Sequence, residues 1–348
     1  MNDWTRYSCQ LALPGFDENT QQKLSAAKVL VVGAGGLGCP ALQYLVSSGV
    51  GTVGIADYDV VSVKNLHRQI LYRPADIGQS KVTVATENLS TQNPDVHLVP
   101  YELRITTGNV MEIIAGYDIV VDCTDNFDTR YLLNDACVLA GKPLVYGAIY
   151  QYEGQVAVWN IHSENGALSP NYRDLYPEVN AAVVPNCADG GVIPTIAGMI
   201  GCLQANEVIK YITGTGELLA GKLLMVDALT MQNRLIKLNT TTKTKITSLP
   251  AVYVQEITAE ELKEHVAEYQ LIDVRTEEEH SLYNIGGLHI PLHDMSTADI
   301  AIDKPIVCYC ASGRRSAGAA RILLEKYSGA SVYSLRGGLD AWPVEYHG

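Results

Sequence analysis

Residues 28–38 read KVLVVGAGGLG, and this segment constrains the fold more than any other. Val29 to Val32 form an apolar run without polar alternation, the pattern of a strand buried on both faces. The glycines that follow permit a tight turn, and CPALQYLVSSG then reads as a helix that stops near Gly49. TVGIADYD is a second strand, ending in acids. Strand, turn, helix and strand make a βαβ unit, so an α/β fold around a largely parallel sheet is expected.

The same alternation continues along the chain. SKVTVATENLSTQ and TRYLLNDACVLAG read as helices, and VHLVPYE, YDIVVDCTDN and KPLVYGAI as strands. QYEGQVAVWN is expected to pair with the last of these as a hairpin. Residues 161–190, rich in Asn, Pro and Gly, form a long connection of a kind that is often functional. VIPTIAGMIGCLQANEVIKYITG is a long apolar helix with Pro194 in its first turn and Gly214 at its end. KLLMVDALTMQNRLIKLN gives two more strands. The polar stretch NTTTKTKITSLP is expected to be a linker, after which a smaller α/β pattern begins. The expected division is therefore 1–238, a linker at 239–250, and 251–348.

Gly33, Gly35 and Gly38 fit G-x-G-x-x-G between a strand and a helix, where backbone amides and the helix N-terminus can receive phosphate. Asp57 ends the next strand and could accept ribose hydroxyls. The motif alone admits an NAD-dependent oxidoreductase. The residues that follow suit a triphosphate better: Asp59, Asn65, Arg68, Gln69 and Lys81 put two cations and several amides close in sequence. Such cations neutralise charge that builds up during attack on phosphorus. Asp125, with Asn126 beside it in DCTDN, lies beyond the carboxyl end of a strand and is a candidate oxygen ligand for Mg²⁺.

VLVVGAGGLGCPALQYL, DYDVVSVKNLHRQ, VDCTDNFDTRYLLNDACVLAGKPLVYGAIYQYEGQV and LLMVDALT together resemble the MoeB/ThiF family, relatives of the ubiquitin-activating enzymes. The resemblance implies a Rossmann-like ubiquitin-activating-enzyme fold with a mixed sheet. It implies a homodimer that uses ATP and Mg²⁺ to adenylate the C-terminal glycine of a ubiquitin-like sulfur carrier protein ending in Gly-Gly. It also assigns roles. Gly33, Gly35, Gly36 and Gly38 match the nucleotide loop, Asp57 the ribose ligand, and Asn65, Arg68 and Lys81 the phosphate-side groups. Asp125 matches the acidic residue that serves magnesium and catalysis, and Cys187 the cysteine of the crossover loop, implying a thioester or acyl-disulfide intermediate.

Two departures stand out. Many relatives carry RYSRQ near the start, and the second arginine reaches the partner subunit's ATP; this chain has Cys9 there, while Arg6 remains. Many relatives also bind structural zinc through two CxxC pairs. Here the first pair is replaced by the stretch from Asn171 to Pro177, and no cysteine occurs between Cys202 and Cys308, so no zinc is expected.

Near the end, Cys310-Ala311-Ser312-Gly313-Arg314-Arg315 follows a strand and precedes a helix. Loop amides, the helix end and the arginines favour an anion there, lowering the thiol pKa and stabilising a persulfide. Cys308, on the same face of that strand, reads as core. A phosphatase-like loop needs arginine six positions after the cysteine, but position 316 is serine and the arginine is Arg315. The shorter loop, with LIDVRTEEEH and LRGGLDAW, resembles rhodanese, a sulfurtransferase, and implies a small α/β rhodanese domain. Asp273 and Arg275 read as architectural. Asn284 replaces the usual histidine of that family, and Ala311 a frequent arginine.

The two resemblances imply an adenylyltransferase joined to a sulfurtransferase, serving molybdopterin-synthase, thiamine or tRNA-thiolation carriers, with a persulfide donor such as a cysteine desulfurase. Adenylation of another substrate such as tRNA, or a non-catalytic interaction protein, are the alternatives. The net charge of −13 argues against a general nucleic-acid surface. Eight scattered cysteines and no apolar run long enough for a membrane suggest a cytoplasmic protein with reduced thiols.

Overall fold

The computed structural model describes residues 4–162, 166–177, 191–239, 241–249, 254–327 and 330–342. Two units form, Met1–Leu249 and Pro250–Gly348. The first begins with short helices α1 (Ser8–Leu11) and α2 (Glu18–Ala26). Asp17 caps α2 by accepting the Thr20 amide at 2.9 Å. There follow β1 (Lys28–Val32), α3 (Gly38–Ser47), β2 (Thr52–Asp57), α4 (Lys81–Gln92), β3 (His97–Glu102), α5 (Val110–Ala115), β4 (Ile119–Asp122) and α6 (Phe127–Ala140). The unit continues with β5 (Leu144–Tyr150), β6 (Glu153–Trp159), α7 (Tyr172–Leu175), α8 (Pro194–Thr213), β7 (Lys222–Asp227) and β8 (Asn233–Lys237).

These strands form one sheet in the order β3-β2-β1-β4-β5-β6-β7-β8. The first five are parallel. The hairpin expected after KPLVYGAI is present: β5 pairs antiparallel with β6, from Leu144↔Trp159 to Tyr150↔Glu153. Antiparallel pairing continues to β7 and β8, so the sheet is mixed. The apolar run of β1 has its reason here. Val29 and Val31 enter one core with Leu42, Ile196 and Ile200, while Leu30 and Val32 enter another with Ile114 and Leu133. A strand covered on both faces has no use for alternation. Gly201 lets α8 pass close to the nucleotide turn, since a Cβ there would lie 2.3 Å from the Leu37 carbonyl.

Asp174 holds part of the segment expected to be a linker. Its carboxylate accepts the Thr242 hydroxyl at 2.7 Å, the Lys243 and Thr244 amides at 2.8 Å, and the Thr244 hydroxyl at 2.7 Å. Arg173 beside it makes two 2.7 Å bonds to Asp135, anchoring α7 on α6.

The second unit contains β9 (Gln255–Ile257), α9 (Ala259–His265), β10 (Gln270–Asp273), α10 (Glu277–Leu282), β11 (Leu288–His289), β12 (Ile306–Tyr309), α11 (Arg314–Lys326) and β13 (Val332–Leu335). Its sheet has the order β11-β10-β12-β13-β9, and every pairing is parallel. Among the described residues no helix is long and apolar enough to cross a membrane.

Candidate functional site

The strand order reverses between β1 and β4, so their carboxyl ends open a crevice. A cavity of about 710 Å³ lies there. Gly33, Gly35, Gly36, Asp57, Asp59, Arg68, Gln69, Lys81, Asp125 and Asn126 all line it. Residues spread over more than ninety positions of sequence thus meet in one place.

Two glycines of the turn, Gly33 and Gly38, leave no room for a side chain, so the backbone there can come close to a ligand. Gly33 has φ +97°, and a Cβ there would sit 2.6 Å from the Cys123 carbonyl. A Cβ on Gly38 would lie 1.9 Å from the Gly33 carbonyl. Asp57 is tied to the turn: its Oδ2 accepts the Ala34 amide at 2.7 Å and its Oδ1 the Asp59 amide at 2.9 Å. Burial raises the Asp57 pKa above the usual carboxylate value, against the pull of Lys81 and these amides.

Lys81 opens α4, its side chain only 4% exposed, and donates to Asp59 Oδ2 at 2.7 Å. Arg68 Nη2 donates to Asn65 Oδ1 at 3.0 Å, so Asn65 orients the guanidinium from behind the cavity wall. Gln69 is buried, and its Oε1 has no hydrogen-bond partner among the described residues. Asp125 is exposed at the exit of β4, able to serve a cation through oxygen. Asn126 caps α6, its Oδ1 accepting the Thr129 amide at 2.9 Å. The donor set therefore fits a nucleotide triphosphate with Mg²⁺.

The structure adds two cations that the motifs did not single out, Arg104, stacked over the Tyr58 ring, and Arg130. Arg130 is buried in the cavity wall, with Nε 3.2 Å from Asp122 Oδ2 and Nη2 donating to the Thr124 carbonyl at 2.9 Å. The signal was available: an arginine four residues after Asn126 projects from the first turn of the helix that starts at the site. Arg6 lies elsewhere; its Nη1 donates to the Gln92 carbonyl at 3.1 Å. Cys9 is exposed. Cys187 lies outside the described residues. Where the resemblance puts the first zinc pair, Asn171 and Asp174 offer oxygen and amide groups already bonded to Thr242 and Thr244. That set does not suit a zinc thiolate site.

In the second unit, Cys310 stands at the end of β12, buried beneath the loop that enters α11. Its sulfur accepts the Gly313 amide at 3.2 Å and the Ser316 amide at 3.4 Å. Burial pushes the thiol pKa up, but the Ser316 hydroxyl and the Ser316, Ser312 and Gly313 amides outweigh it, so the value falls below that of a free cysteine. Among the described residues no donor bonds Cys308, and burial pushes its pKa up to about 12. Arg315 does not bond the sulfur. Its guanidinium is taken by Glu279, and it steadies the loop from outside. Asp273 grips Arg275 at 2.6 Å and His280 at 2.9 Å, in keeping with the architectural reading.

The ThiF family model matches residues 7–247, and the rhodanese-like domain model matches residues 258–345. The chain belongs to the ThiF family. It carries a rhodanese-like domain as well. The probable adenylyltransferase/sulfurtransferase MoeZ of Mycobacterium tuberculosis is 41% identical over 97% of this chain and 92% of its own length. The sulfur carrier protein adenylyltransferase of Thermus thermophilus is 50% identical over 64% of this chain and 83% of its own. Among solved structures, that of E. coli MccB superposes with a TM-score of 0.61 at 20% identity, covering 72% of this chain and 74% of MccB. That likeness concerns the fold.

Proposed function

We propose that this ThiF-family chain adenylates the C-terminal glycine of a ubiquitin-like sulfur carrier ending in Gly-Gly, and then delivers sulfur to it from Cys310. It is an adenylyltransferase and a sulfurtransferase in one chain. The observation that carries the reading is the pairing of a phosphate-suited cavity in one unit with an amide-held, low-pKa sulfur in the other. The match to two-domain relatives over nearly the whole chain supports it.

ATP is a substrate of the first step, and Mg²⁺ would supply positive charge to its phosphates. Gly33 to Gly38 receive the phosphates through backbone amides, and Asp57 holds the ribose. Arg68, oriented by Asn65, and Lys81 balance phosphate charge while the carrier's carboxylate attacks the α-phosphorus. Asp125 and Asn126 offer oxygens on the magnesium side. Pyrophosphate leaves, and the carrier holds an acyl-adenylate.

A persulfide donor, such as a cysteine desulfurase, charges Cys310. The terminal sulfur attacks the acyl carbonyl, AMP departs, and an acyl disulfide joins carrier and enzyme. A second thiol, in the free cysteine pool or at Cys187, attacks the Cys310 sulfur and releases the thiocarboxylate. The chain is proposed to work as a homodimer.

The test mixes the protein with MgATP, a persulfide donor and candidate Gly-Gly carriers, and measures the carrier's intact mass. Exchange of one oxygen for sulfur is expected, lost in Cys310→Ala. A carrier that never changes mass, together with no release of pyrophosphate, would remove the proposal. Retention of sulfur transfer in Cys187→Ala would exclude an obligatory second thiol at that position.

A further inference from the structure

Two buried hydroxyls lie behind the sulfur of Cys310. Ser316 in the first turn of α11 and Ser334 in β13 are both 0% exposed. Their oxygens are 2.7 Å apart, and Ser316 Oγ is 3.5 Å from Cys310 Sγ. Ser334 stands opposite Cys308 in the β12–β13 register, so strand pairing aligns it beneath the loop. Buried hydroxyls cost stability unless bonded, and a chain of two that ends on a sulfur asks for a purpose.

Proton counting restricts what the chain can do. Each serine has one hydrogen to donate. Ser316 can give its hydrogen to the Gly313 carbonyl at 3.0 Å or to the sulfur. The Gly313 carbonyl already accepts the Ala317 amide at 3.1 Å, so it tolerates losing the serine. Ser334 is close enough to donate to Ser316 in either case. Ser316 is then a rotor between a carbonyl and a sulfur, and Ser334 behind it donates either to Ser316 or to the Gly313 carbonyl at 3.3 Å, the shorter 2.7 Å contact being the one to Ser316.

We propose that Ser334, acting through Ser316, forms a hydroxyl relay that holds Cys310 as the nucleophilic thiolate able to accept sulfur. The inference rests on the reading of Cys310 as the sulfur-bearing residue, and it adds two residues to that site. With a neutral thiol, Ser316 turns to Gly313. With a thiolate, it turns to the sulfur, while Ser334 polarises its oxygen. In the loading step, the Cys310 thiolate attacks the donor's outer sulfur. A bond from Cys310 Sγ to that sulfur forms, the donor's S–S bond breaks, and its electron pair leaves on the donor thiolate. The inner sulfur is then neutral, and Ser316 returns to the carbonyl.

The charged and titratable groups around the sulfur are Arg315 on α11, bound to Glu279 of α10, Cys308 on the same strand, and Asp273 at the end of β10, bound to Arg275 and His280. Among the described residues neither serine bonds any of these carboxylates or guanidiniums, so the relay can be altered while these pairs stay intact.

The test uses the full-length chain with Ser334→Thr and Ser334→Val, which share shape and differ in the hydroxyl. The alkylation rate of Cys310 is followed against pH by peptide mass mapping. Ser334→Thr is expected to keep the wild-type midpoint, and Ser334→Val to raise it by about half a unit to one unit, slowing reaction near neutral pH by roughly three- to tenfold. Equal shifts in both variants, or none in Val, would overturn the relay in favour of packing. Ser316→Ala is expected to raise the midpoint at least as far as Ser334→Val, and adding Ser334→Val should shift it no further. Additive shifts would overturn the serial order. Because alkylation needs no carrier or ATP, this result is independent of whether the sulfur reaches a carrier.

Discussion

Glu279 binds Arg315 through two 2.6 Å hydrogen bonds while the same carboxylate closes the capping box of α10 with Thr276. The helix cap of one element thereby anchors the loop that carries the reactive sulfur. The Arg315 guanidinium draws the Glu279 pKa down to about 2. A depressed acid contributes stability above its unfolded pKa of about 4.3, lost as pH falls through the folded value. The pair is therefore intact throughout the working range. Glu279→Gln is expected to slow persulfide loading of Cys310 several-fold and to leave pyrophosphate exchange unchanged. Mass spectrometry of Cys310 and an isotope-exchange assay check the two arms.

Lys81 reaches the nucleotide cavity from the start of α4 and is held by Asp59. Lys81→Met removes a cation aimed at developing phosphate charge and should lower kcat/KM for carrier-dependent pyrophosphate exchange by about 100-fold or more. Asp59→Asn keeps the cation and loosens its placement, so a smaller loss is expected. Persulfide formation on Cys310 should be the same in both variants as in the wild type.

Asp174 is expected to do by hydrogen bonding what zinc does in many relatives. Burial raises its pKa, but the Asn171 amide and the donors at 242–244 more than offset this and hold it below the ordinary carboxylate value. Asp174→Ala should destabilise the first unit by about 2 kcal/mol, the order expected when a partly buried, charge-assisted cluster loses its acceptor. A chelator should leave the urea midpoint of the wild type unchanged. The contribution of Asp174 is present above about pH 3.9 and is lost as pH falls through its folded value, so the difference between wild type and variant should shrink in acid.

Gly38 and Gly36 differ in what surrounds them. A Cβ on Gly38 would meet the Gly33 carbonyl at 1.9 Å, whereas one on Gly36 would meet Ala197 Cβ at 3.2 Å and the flexible Arg68 side chain at 3.4 Å. Gly38→Ala should cost roughly 1–3 kcal/mol or more and abolish the rise in Tm on adding ATP. Gly36→Ala should fold nearly as well and retain a reduced rise. Thermal unfolding with and without ATP separates them.

The strand, glycine turn and helix at 28–47 were legible because each signal depends on close neighbours in sequence. The β5–β6 hairpin was legible for the same reason. Spacing places Arg130 in the first turn of the helix after Asn126, but its burial against Asp122 and the Thr124 carbonyl depends on tertiary packing. The sequence places Arg315 beside the sulfur. Its actual partner, Glu279, lies 36 residues away in sequence; α10 and α11 follow the paired parallel strands β10 and β12.

Residue order alone dictated two α/β units, a phosphate-suited turn and a thiol at a strand-to-helix loop, since these are written in short-range periodicity and turn chemistry. Packing decided the rest: that Asp174 would seize the segment 68–70 residues further on, and that two serines would line up behind Cys310. A hydrogen bond between distant residues exists only where backbone paths bring donor and acceptor within about 3 Å, and those paths are set by the burial of whole sheets and helices.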